Sequence, residues 1–207
     1  MRHIYFRRVF GTVLILLAAT AFAQAPEDEE IFVPTYSLGD QTLAINLGLF
    51  APLFITGGAE GISDGITRPN LTLGGVGSIA WGSHLTNEIK LGVEVGGSFS
   101  FTPNRRPLFL VPITFESSYL LQAYPLEFPV TLGLGMSFAR LGEDLKLDPF
   151  IRPGGGIYWN YSSQWAFGAK LRYWIIPQIY SARSEAGRDE SRIGNFLELS
   201  LSALYRF

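Results

Sequence analysis

The segment Leu197–Phe207, LELSLSALYRF, alternates apolar and polar residues up to the end of the chain. Its apolar face holds Leu197, Leu199, Leu201, Ala203, Tyr205 and Phe207. Its other face holds Glu198, Ser200, Ser202, Arg206 and one apolar residue, Leu204. A period of two indicates a β-strand whose two faces meet different surroundings. A strand of about 9–11 residues with one apolar and one polar face is the unit of a membrane-spanning barrel.

Seven earlier segments carry the same alternation with varying regularity. They are Gln41–Leu53, Leu71–Trp81, Asn87–Phe101, Leu108–Leu121, Val130–Arg140, Asp148–Trp159 and Gln164–Ile175. Together with the C-terminal segment they predict an all-β fold, an eight-stranded antiparallel transmembrane β-barrel. An even number of strands fits a bacterial barrel of this class.

The connections between these segments alternate in length. The short ones are residues 82–86, 122–127 and 160–163, and the longer ones are 55–69, 102–107, 141–147 and 176–191. Short periplasmic turns and longer extracellular loops are typical of outer-membrane barrels. We therefore expect a protein of the bacterial outer membrane, with both chain termini in the periplasm.

Aromatic residues fall near the two ends of the predicted strands. The expected periplasmic belt holds Trp81, Tyr119, Phe128, Trp159, Trp165, Tyr205 and Phe207. The expected extracellular belt holds Phe99, Phe101, Phe109, Phe138, Phe150 and Tyr173. Aromatic rings concentrate at lipid–water interfaces, so both belts are expected to face lipid. The alternative is a water-soluble barrel, which would turn its large apolar side chains into the lumen.

The first 23 residues have the features of a secretory signal peptide. A basic start and an apolar run precede a cleavage site at Ala21-Phe22-Ala23. We expect residues 1–23 to be cleaved, residues 24–39 to form a short periplasmic leader, and residues 40–207 to form the barrel. Cleavage removes three arginines and no acid from a chain of formal net charge −2, which leaves about −5 and gives no sign of nucleic-acid binding. The chain has no cysteine, which excludes disulfides and thiolate metal sites.

Six charged residues fall near the middle of their strands on the predicted inward face. They are Glu94, Glu116, Arg152, Lys170, Arg172 and Glu198. Because a buried charge costs about several kcal/mol unless it is paired, we expect the three acids and three bases to form a network. In one interpretation the network plugs and stiffens the barrel. In the other it is a gate or solute-binding constriction, which the many inward-facing glycines favour because they leave room in the lumen.

Two prolines, Pro112 and Pro153, fall inside predicted strands. Proline cannot donate a ladder hydrogen bond, so each must open the barrel wall locally or force a bulge. A break that faces lipid would let a hydrophobic solute leave the lumen sideways. Strand curvature without any opening is the alternative.

Candidate catalytic, cofactor and metal residues are few. His84 is the only histidine after cleavage, and Ser83 beside it would point away from it in an extended segment. The glycines of 74–77 lack the helix that a phosphate loop needs. Glu143, Asp144 and Asp148 match no calcium-loop spacing and are expected in a solvated loop. We therefore expect no enzyme activity, no cofactor and no metal.

The signal peptide, Gly39-Asp40-Gln41 at the opening of the first strand, the eight-strand pattern and the ending 204–207 (LYRF) resemble small eight-stranded outer-membrane proteins. The likeness is to the outer-membrane protein W (OmpW-like) family and its relatives in spirochaetes, and it covers Asp40 to Phe207. It implies a narrow, largely apolar lumen for small hydrophobic molecules. It also implies that the barrel-assembly machinery recognises the C-terminal strand ending in Phe207. The mid-lumen charges are similar instead to the salt-bridged plug of the OmpA-type barrel.

Two functional hypotheses follow. The first is a monomeric, porin-like outer-membrane barrel that forms a narrow channel or transporter for small solutes, hydrophobic ones included. The second is a non-transporting surface barrel whose loops 55–69 and 176–191 bind host or envelope partners, as an adhesin or structural protein does. Both imply outer-membrane lipid and the assembly machinery as partners.

Overall fold

The computed structural model describes residues 34–56, 66–67, 71–102, 107–141, 144–178 and 192–207. The predicted signal peptide and the predicted leader up to residue 33 lie outside these ranges, so the boundary at residue 23 stays a prediction. Within the described ranges, no helix is long and apolar enough to cross a membrane.

The described residues form nine β-strands, eight of which build the barrel. In chain order they are β1 Gln41–Thr56, β2 Ile66–Thr67, β3 Gly74–His84, β4 Ile89–Phe101, β5 Pro107–Ala123, β6 Leu126–Leu141, β7 Asp144–Asn160, β8 Trp165–Gln178 and β9 Arg192–Arg206. The two-residue strand β2 pairs with the end of β1, through Ile55–Thr67 and Thr56–Ile66. The predicted all-β, eight-stranded fold is therefore confirmed.

Antiparallel pairing of β1 with β9 closes the barrel. The remaining neighbours pair in the order β1-β3-β4-β5-β6-β7-β8-β9. The closing seam runs from Thr42–Arg206 to Thr56–Ile193, with one register shift between Pro52 and Phe54. Two backbone hydrogen bonds of 3.0 Å join Gln41 and Phe207, so the first and last strands meet at one end. We call this end of the barrel the terminal end and the opposite end the loop end.

The side chains of each strand alternate between the outside and the lumen. On β1 the side chains of Leu43, Ile45, Leu47 and Leu49 are exposed, whereas Thr42, Ala44 and Asn46 are buried. On β9, Leu201 is 72% exposed and Ser200 and Ser202 are buried. Apolar residues outside and polar residues inside are the reverse of a water-soluble barrel and fit a lipid-facing surface.

The prediction that Phe150 faces lipid in the extracellular belt is wrong. Its side chain is 2% exposed and lies in the lumen. Residues two apart in a strand share a face, so Phe150 must point to the same side as Arg152. The prediction gave Phe150 a lipid-facing position because the residue is aromatic, but the period of the strand determines which face its side chain occupies.

Candidate functional site

The lumen brings together charged residues from five strands. Arg172 of β8 holds Glu94 of β4 through two parallel bonds, Nη2 to Oε2 at 2.9 Å and Nη1 to Oε1 at 3.0 Å. Arg152 of β7 donates to Glu94 at 2.8 Å and to Glu116 of β5 at 3.3 Å. The two-bond geometry between a guanidinium and a carboxylate is the strongest form of such a pair.

Glu198 of β9 completes this arrangement. Its carboxylate accepts hydrogen bonds from Arg172 at 3.1 Å, from the Trp174 indole at 2.9 Å and from the Ser200 hydroxyl at 3.0 Å. Arg152 lies 3.8 Å away. Arg152, Arg172, Glu94 and Glu198 are all buried. Each carboxylate is thus paired with at least one guanidinium, as burial of these charges requires.

Two lysines lie beside these arginine–glutamate pairs, on the side of the terminal end. Lys170 of β8 reaches Glu116 at 4.0 Å, a distance at the limit of an ion pair. Lys90 of β4 also faces the lumen, and within the described residues no carboxylate oxygen lies within 4.0 Å of its ammonium. Both lysines line a small lumen cavity of about 20 Å³, together with Glu94 and Glu116. Lys90 was not among the charged residues predicted for the lumen.

The six predicted lumen residues are therefore neighbours, and we call Glu94, Glu116, Arg152, Lys170, Arg172 and Glu198 the charge network. Two glycines make room for its arginine side chains. A Cβ on Gly133 would lie 2.9 Å from Thr114 Cγ2 and 3.4 Å from Arg152 Nε, and one on Gly154 would lie 2.8 Å from Arg172 Cγ. The space beside Gly133 and Gly154 is thus occupied in part by the side chains of Arg152 and Arg172. Whether the network acts as a gate or as a plug stays a prediction.

Four aromatic residues fill the lumen between the charge network and the loop end. This aromatic group consists of Phe50, Phe150, Trp174 and Phe196. Phe50 stacks on Phe196 with centroids 4.8 Å apart, and Phe150 stacks on Trp174 at 4.9 Å. Phe50 meets Trp174 edge-on at 5.5 Å. The Arg152 guanidinium lies 4.9 Å from the Trp174 ring centroid, which joins the two regions.

The aromatic group was missed from the sequence, although a signal for it exists. Phe50 lies four residues after Asn46, Trp174 two after Arg172, and Phe196 two before Glu198. These even spacings place all three rings on the inward face. The expectation of lipid-facing aromatics concealed that pattern.

The terminal end of the lumen is closed by Tyr36, which precedes β1. Its hydroxyl donates to Glu127 Oε2 at 2.7 Å, and its ring stacks on His84 at 3.9 Å. The Arg206 guanidinium lies 5.6 Å from the ring centroid, and Asn87 accepts a 2.8 Å bond from the backbone N–H. Burial, with the adjacent Glu127 carboxylate, raises the pKa of the Tyr36 hydroxyl, so Tyr36 stays a neutral donor. The last part of the predicted leader is therefore packed against the barrel.

The residues considered for catalysis, phosphate binding and metal binding are placed as follows, except Glu143, which lies outside the described residues. His84 is buried at the end of β3, with neither ring nitrogen hydrogen-bonded to described residues. The glycines of 74–77 belong to β3. Asp148 is buried in the lumen on β7, so the expectation of a solvated loop is wrong for it. Within the described ranges, no three His, Asp or Glu side chains are grouped to hold a metal ion.

At both Pro112 and Pro153, the pairing between neighbouring strands is interrupted, and its register is the same on either side of the interruption. Between β4 and β5 the pairing stops after Val95–Ile113 and resumes at Ser98–Leu110, opposite Pro112. Between β7 and β8 it is interrupted from Gly154–Arg172 to Ile151–Ile175, at Pro153. No bulge forms at either site, and the interruption follows from the missing proline N–H.

The two interruptions differ in what they face. Pro112 is buried in the lumen, whereas Pro153 borders a lipid-facing groove of about 750 Å³. The groove runs over Gly155 and Ile157 of β7 and Leu171 of β8 to Leu199 of β9. Whether the wall opens at either proline stays a prediction.

A protein-family model of spirochaete type matches residues 23–205, which is most of the chain. An uncharacterised protein of Borreliella burgdorferi is 28% identical over 159 residues, covering 66% of this chain and 73% of that protein. An uncharacterised protein of Treponema pallidum is 27% identical over 150 residues, covering 70% of this chain and 68% of that protein.

Solved outer-membrane barrels have a similar fold. Neisserial surface protein A gives a TM-score of 0.55 at 15% identity, over 82% of this chain and 97% of its own. OprG from Pseudomonas aeruginosa gives 0.56 at 9% identity, over 85% and 99%. AlkL, determined in lipid bilayers, gives 0.50 at 14% identity, over 88% and 97%. At these identities the likeness concerns the fold alone, and it confirms the predicted resemblance to small eight-stranded barrels.

Proposed function

The chain belongs to the spirochaete-type family whose model it matches and has the fold of small outer-membrane β-barrels, and from this premise we propose that it is a sealed barrel that presents surface loops. In this proposal the barrel anchors the predicted loops 55–69 and 176–191, and these loops bind host or envelope partners. The second hypothesis of the sequence analysis is thereby preferred to the first.

The observation that carries the proposal is the filling of the lumen along its length. The aromatic group occupies the side of the loop end, the charge network occupies the middle, and Tyr36 covers the terminal end. Trp174 and Glu198, at the junction of the first two regions, are both 0% exposed. Side chains just fill the interior of an eight-stranded barrel, so this packing leaves little width for an axial channel.

The cavity beside the lysines supports the same conclusion. Its volume of about 20 Å³ is slightly more than the ~10–15 Å³ that one water molecule needs. A cavity of this size holds a single small species. A file of water or a dissolved solute would need a longer passage.

Conductance of the refolded barrel tests the sealed lumen. We expect wild-type protein in planar bilayers to show no ion current above that of the lipid. The charge-neutral double variant Glu94→Ala/Arg172→Ala removes a buried pair and is expected to leak ions. A gel shift between heated and unheated samples would verify that both proteins are folded. Steady channel currents from the wild type would rule out the sealed barrel.

Antibody access tests the proposed placement of the loops. An epitope inserted at residue 185, in the connection between β8 and β9, is expected to be reached on intact cells. The same epitope at residue 163, in the turn between β7 and β8, is expected to be reached only after the outer membrane is permeabilised. Access to residue 163 alone would reverse the orientation.

Binding by the loops needs its own experiment. Cells that display the wild-type barrel are expected to adhere to host-cell monolayers. Replacement of residues 181–190 by a Gly/Ser linker of equal length should reduce adhesion, while the heat-dependent gel shift stays unchanged. Equal adhesion of the two strains would remove this connection from the proposal.

A lateral route for apolar solutes is the second candidate function, and the groove at Pro153 favours it. The wall there lacks the Arg152–Trp174 and Pro153–Tyr173 ladder pairs. If this seam passes solutes, Pro153→Val should reduce uptake of an apolar fluorescent probe into proteoliposomes, because valine can restore the ladder. Pro112→Val, at the matched interruption that faces the lumen, should not. Equal uptake by both variants and the wild type would eliminate the lateral route.

A further inference from the structure

We propose that the lumen binds one small monovalent anion of chloride size between Lys90 and Lys170. The inference begins with the charges in the middle of the lumen. Two arginines and three glutamates leave one negative charge, and the two lysines of the cavity reverse the balance to one positive charge. Their positions are Arg152, Arg172, Glu94, Glu116, Glu198, Lys90 and Lys170.

The carboxylates of this region form their shortest ion pairs with the two arginines. Glu94 accepts from Arg152 at 2.8 Å and from Arg172 at 2.9 Å. Glu116 lies 3.3 Å from Arg152 and 3.6 Å from Arg172. The two arginines therefore offset two of the three carboxylate charges, and one negative charge remains for the two lysines. The contacts of the lysines are much weaker, since Lys170 has one carboxylate at 4.0 Å.

Among the residues that the structure describes, the next acids along the lumen do not compensate the excess charge. Glu127, the next lumen acid toward the terminal end, pairs with Arg206 at 3.5 Å and accepts the Tyr36 hydroxyl. Asp148 lies on β7 beyond Phe150, on the side of the loop end. An uncompensated buried charge costs about several kcal/mol, so a counter-ion beside the lysines stabilises the folded barrel.

The cavity fits an anion of limited size and defined chemistry. About 20 Å³ accommodates a single small ion but neither a sulfate nor an organic anion. Ser118 also lines the cavity, and its hydroxyl is able to donate to an anion. Tyr36 covers the terminal end of the lumen, toward which both lysines lie.

Urea unfolding of the refolded full barrel in detergent tests the site. Sodium chloride is exchanged for sodium gluconate at constant ionic strength, since gluconate is too large for the cavity. We expect the free energy of unfolding of the wild type to be higher in chloride than in gluconate and to increase with the chloride concentration. At ten times the dissociation constant, chloride should lower the unfolding equilibrium constant about eleven-fold. Lys146→Met is the matched control, because Lys146 lies outside the cavity, and it should keep the full response.

The lysine variants give the decisive comparison. Lys90→Met should be more stable than the wild type in gluconate, because it lacks the excess charge, and should lose the response to chloride. Lys170→Met should lose the response as well, so the test survives if one variant fails to fold. Crystals grown in bromide should show an anomalous peak within about 4 Å of both ammonium groups, the usual limit for an ion pair. Equal stability of the wild type in chloride and gluconate, or a chloride response that persists in both variants, would overturn the proposal.

Discussion

The aromatic group and the charge network are adjacent in one lumen, but different forces hold them. The aromatic group fills its region by shape, with ring contacts of 4.8 to 5.5 Å that many apolar side chains could approximate. The charge network depends on each member, because every carboxylate is paired with a particular guanidinium. Packing of apolar groups degrades gradually, whereas a buried ion pair that loses one partner leaves an isolated charge.

The largest effect is expected from removing one cation of the charge network. Arg172→Met leaves Glu94 without its two-bond partner and Glu198 without its 3.1 Å partner. We expect a loss of roughly 3–5 kcal/mol in the free energy of unfolding, measured by urea titration in lipid vesicles. Lys146→Met, at an exposed cation, should change it by less than about 0.5 kcal/mol. A loss below about 1 kcal/mol for Arg172→Met would show that the charge network tolerates substitution as well as the aromatic group does.

The hydrogen bond of Tyr36 extends the comparison to the terminal end. Tyr36→Phe keeps the stacking on His84 but leaves Glu127 without its 2.7 Å donor. A bond to a charged group contributes about 1.5–3 kcal/mol, which is the expected loss in unfolding free energy. Because the pKa of Tyr36 is raised in the fold, this contribution should be complete below about pH 10 and decrease above it. An unchanged unfolding curve at pH 7 would mean that the bond is not formed.

A methyl group added beside Arg152 tests how closely the charge network is packed. The Cβ of Gly133→Ala would lie 2.9 Å from Thr114 Cγ2, so we expect a loss of about 1–3 kcal/mol from overpacking. Gly97→Ala is the matched control in β4, because its Cβ would lie 4.0 Å from the nearest atom, Leu110 O. If both variants unfold at the same urea concentration, the room around Arg152 is larger than the distances indicate.

The smallest effect is expected from a substitution within the aromatic group. Phe50→Leu keeps an apolar side chain of similar size between Trp174 and Phe196, so the loss should stay below about 1.5 kcal/mol. The same unfolding assay measures it, with Phe50→Ala as the cavity-forming control. A loss for Phe50→Leu as large as that for Arg172→Met would erase the contrast between the two regions.

The sequence predicted the strands and their two faces because a period of two is a local property. The eight barrel strands, the exposed leucines of β1 and the inward position of Glu94 all follow from that period. The strand ends were less well predicted. β7 begins at Asp144 rather than Asp148, because its ladder with β6 continues through Leu141–Asp144 after the alternation has faded.

Contacts across the lumen were beyond the sequence because they depend on depth and stagger. The period places Arg172 inside, but only the closed barrel brings it to Glu94, 78 residues earlier in the chain. Lys90 and the aromatic rings shared the inward period and were still left out. For the rings, residue type was given more weight than position, whereas Lys90 is the second residue of β4 and so fell outside the set near mid-strand. The Tyr36 contacts had no periodic signal, since this residue precedes the first strand.

The ring of Tyr36 touches side chains that enter the barrel at very different stages of chain order. Its hydroxyl partner, Glu127, is 91 residues away, and Arg206 is the second-last residue of the chain. Contacts of such long sequence separation form late, after the entropy of closing the intervening loop has been lost. The stacked Tyr36–His84 pair together with the Arg206 contact thus exists only once β9 has joined β1. Burial of the Tyr36 phenol therefore depends on closure of the barrel. Its ultraviolet signal would distinguish a closed barrel from one in which β9 has not yet paired with β1.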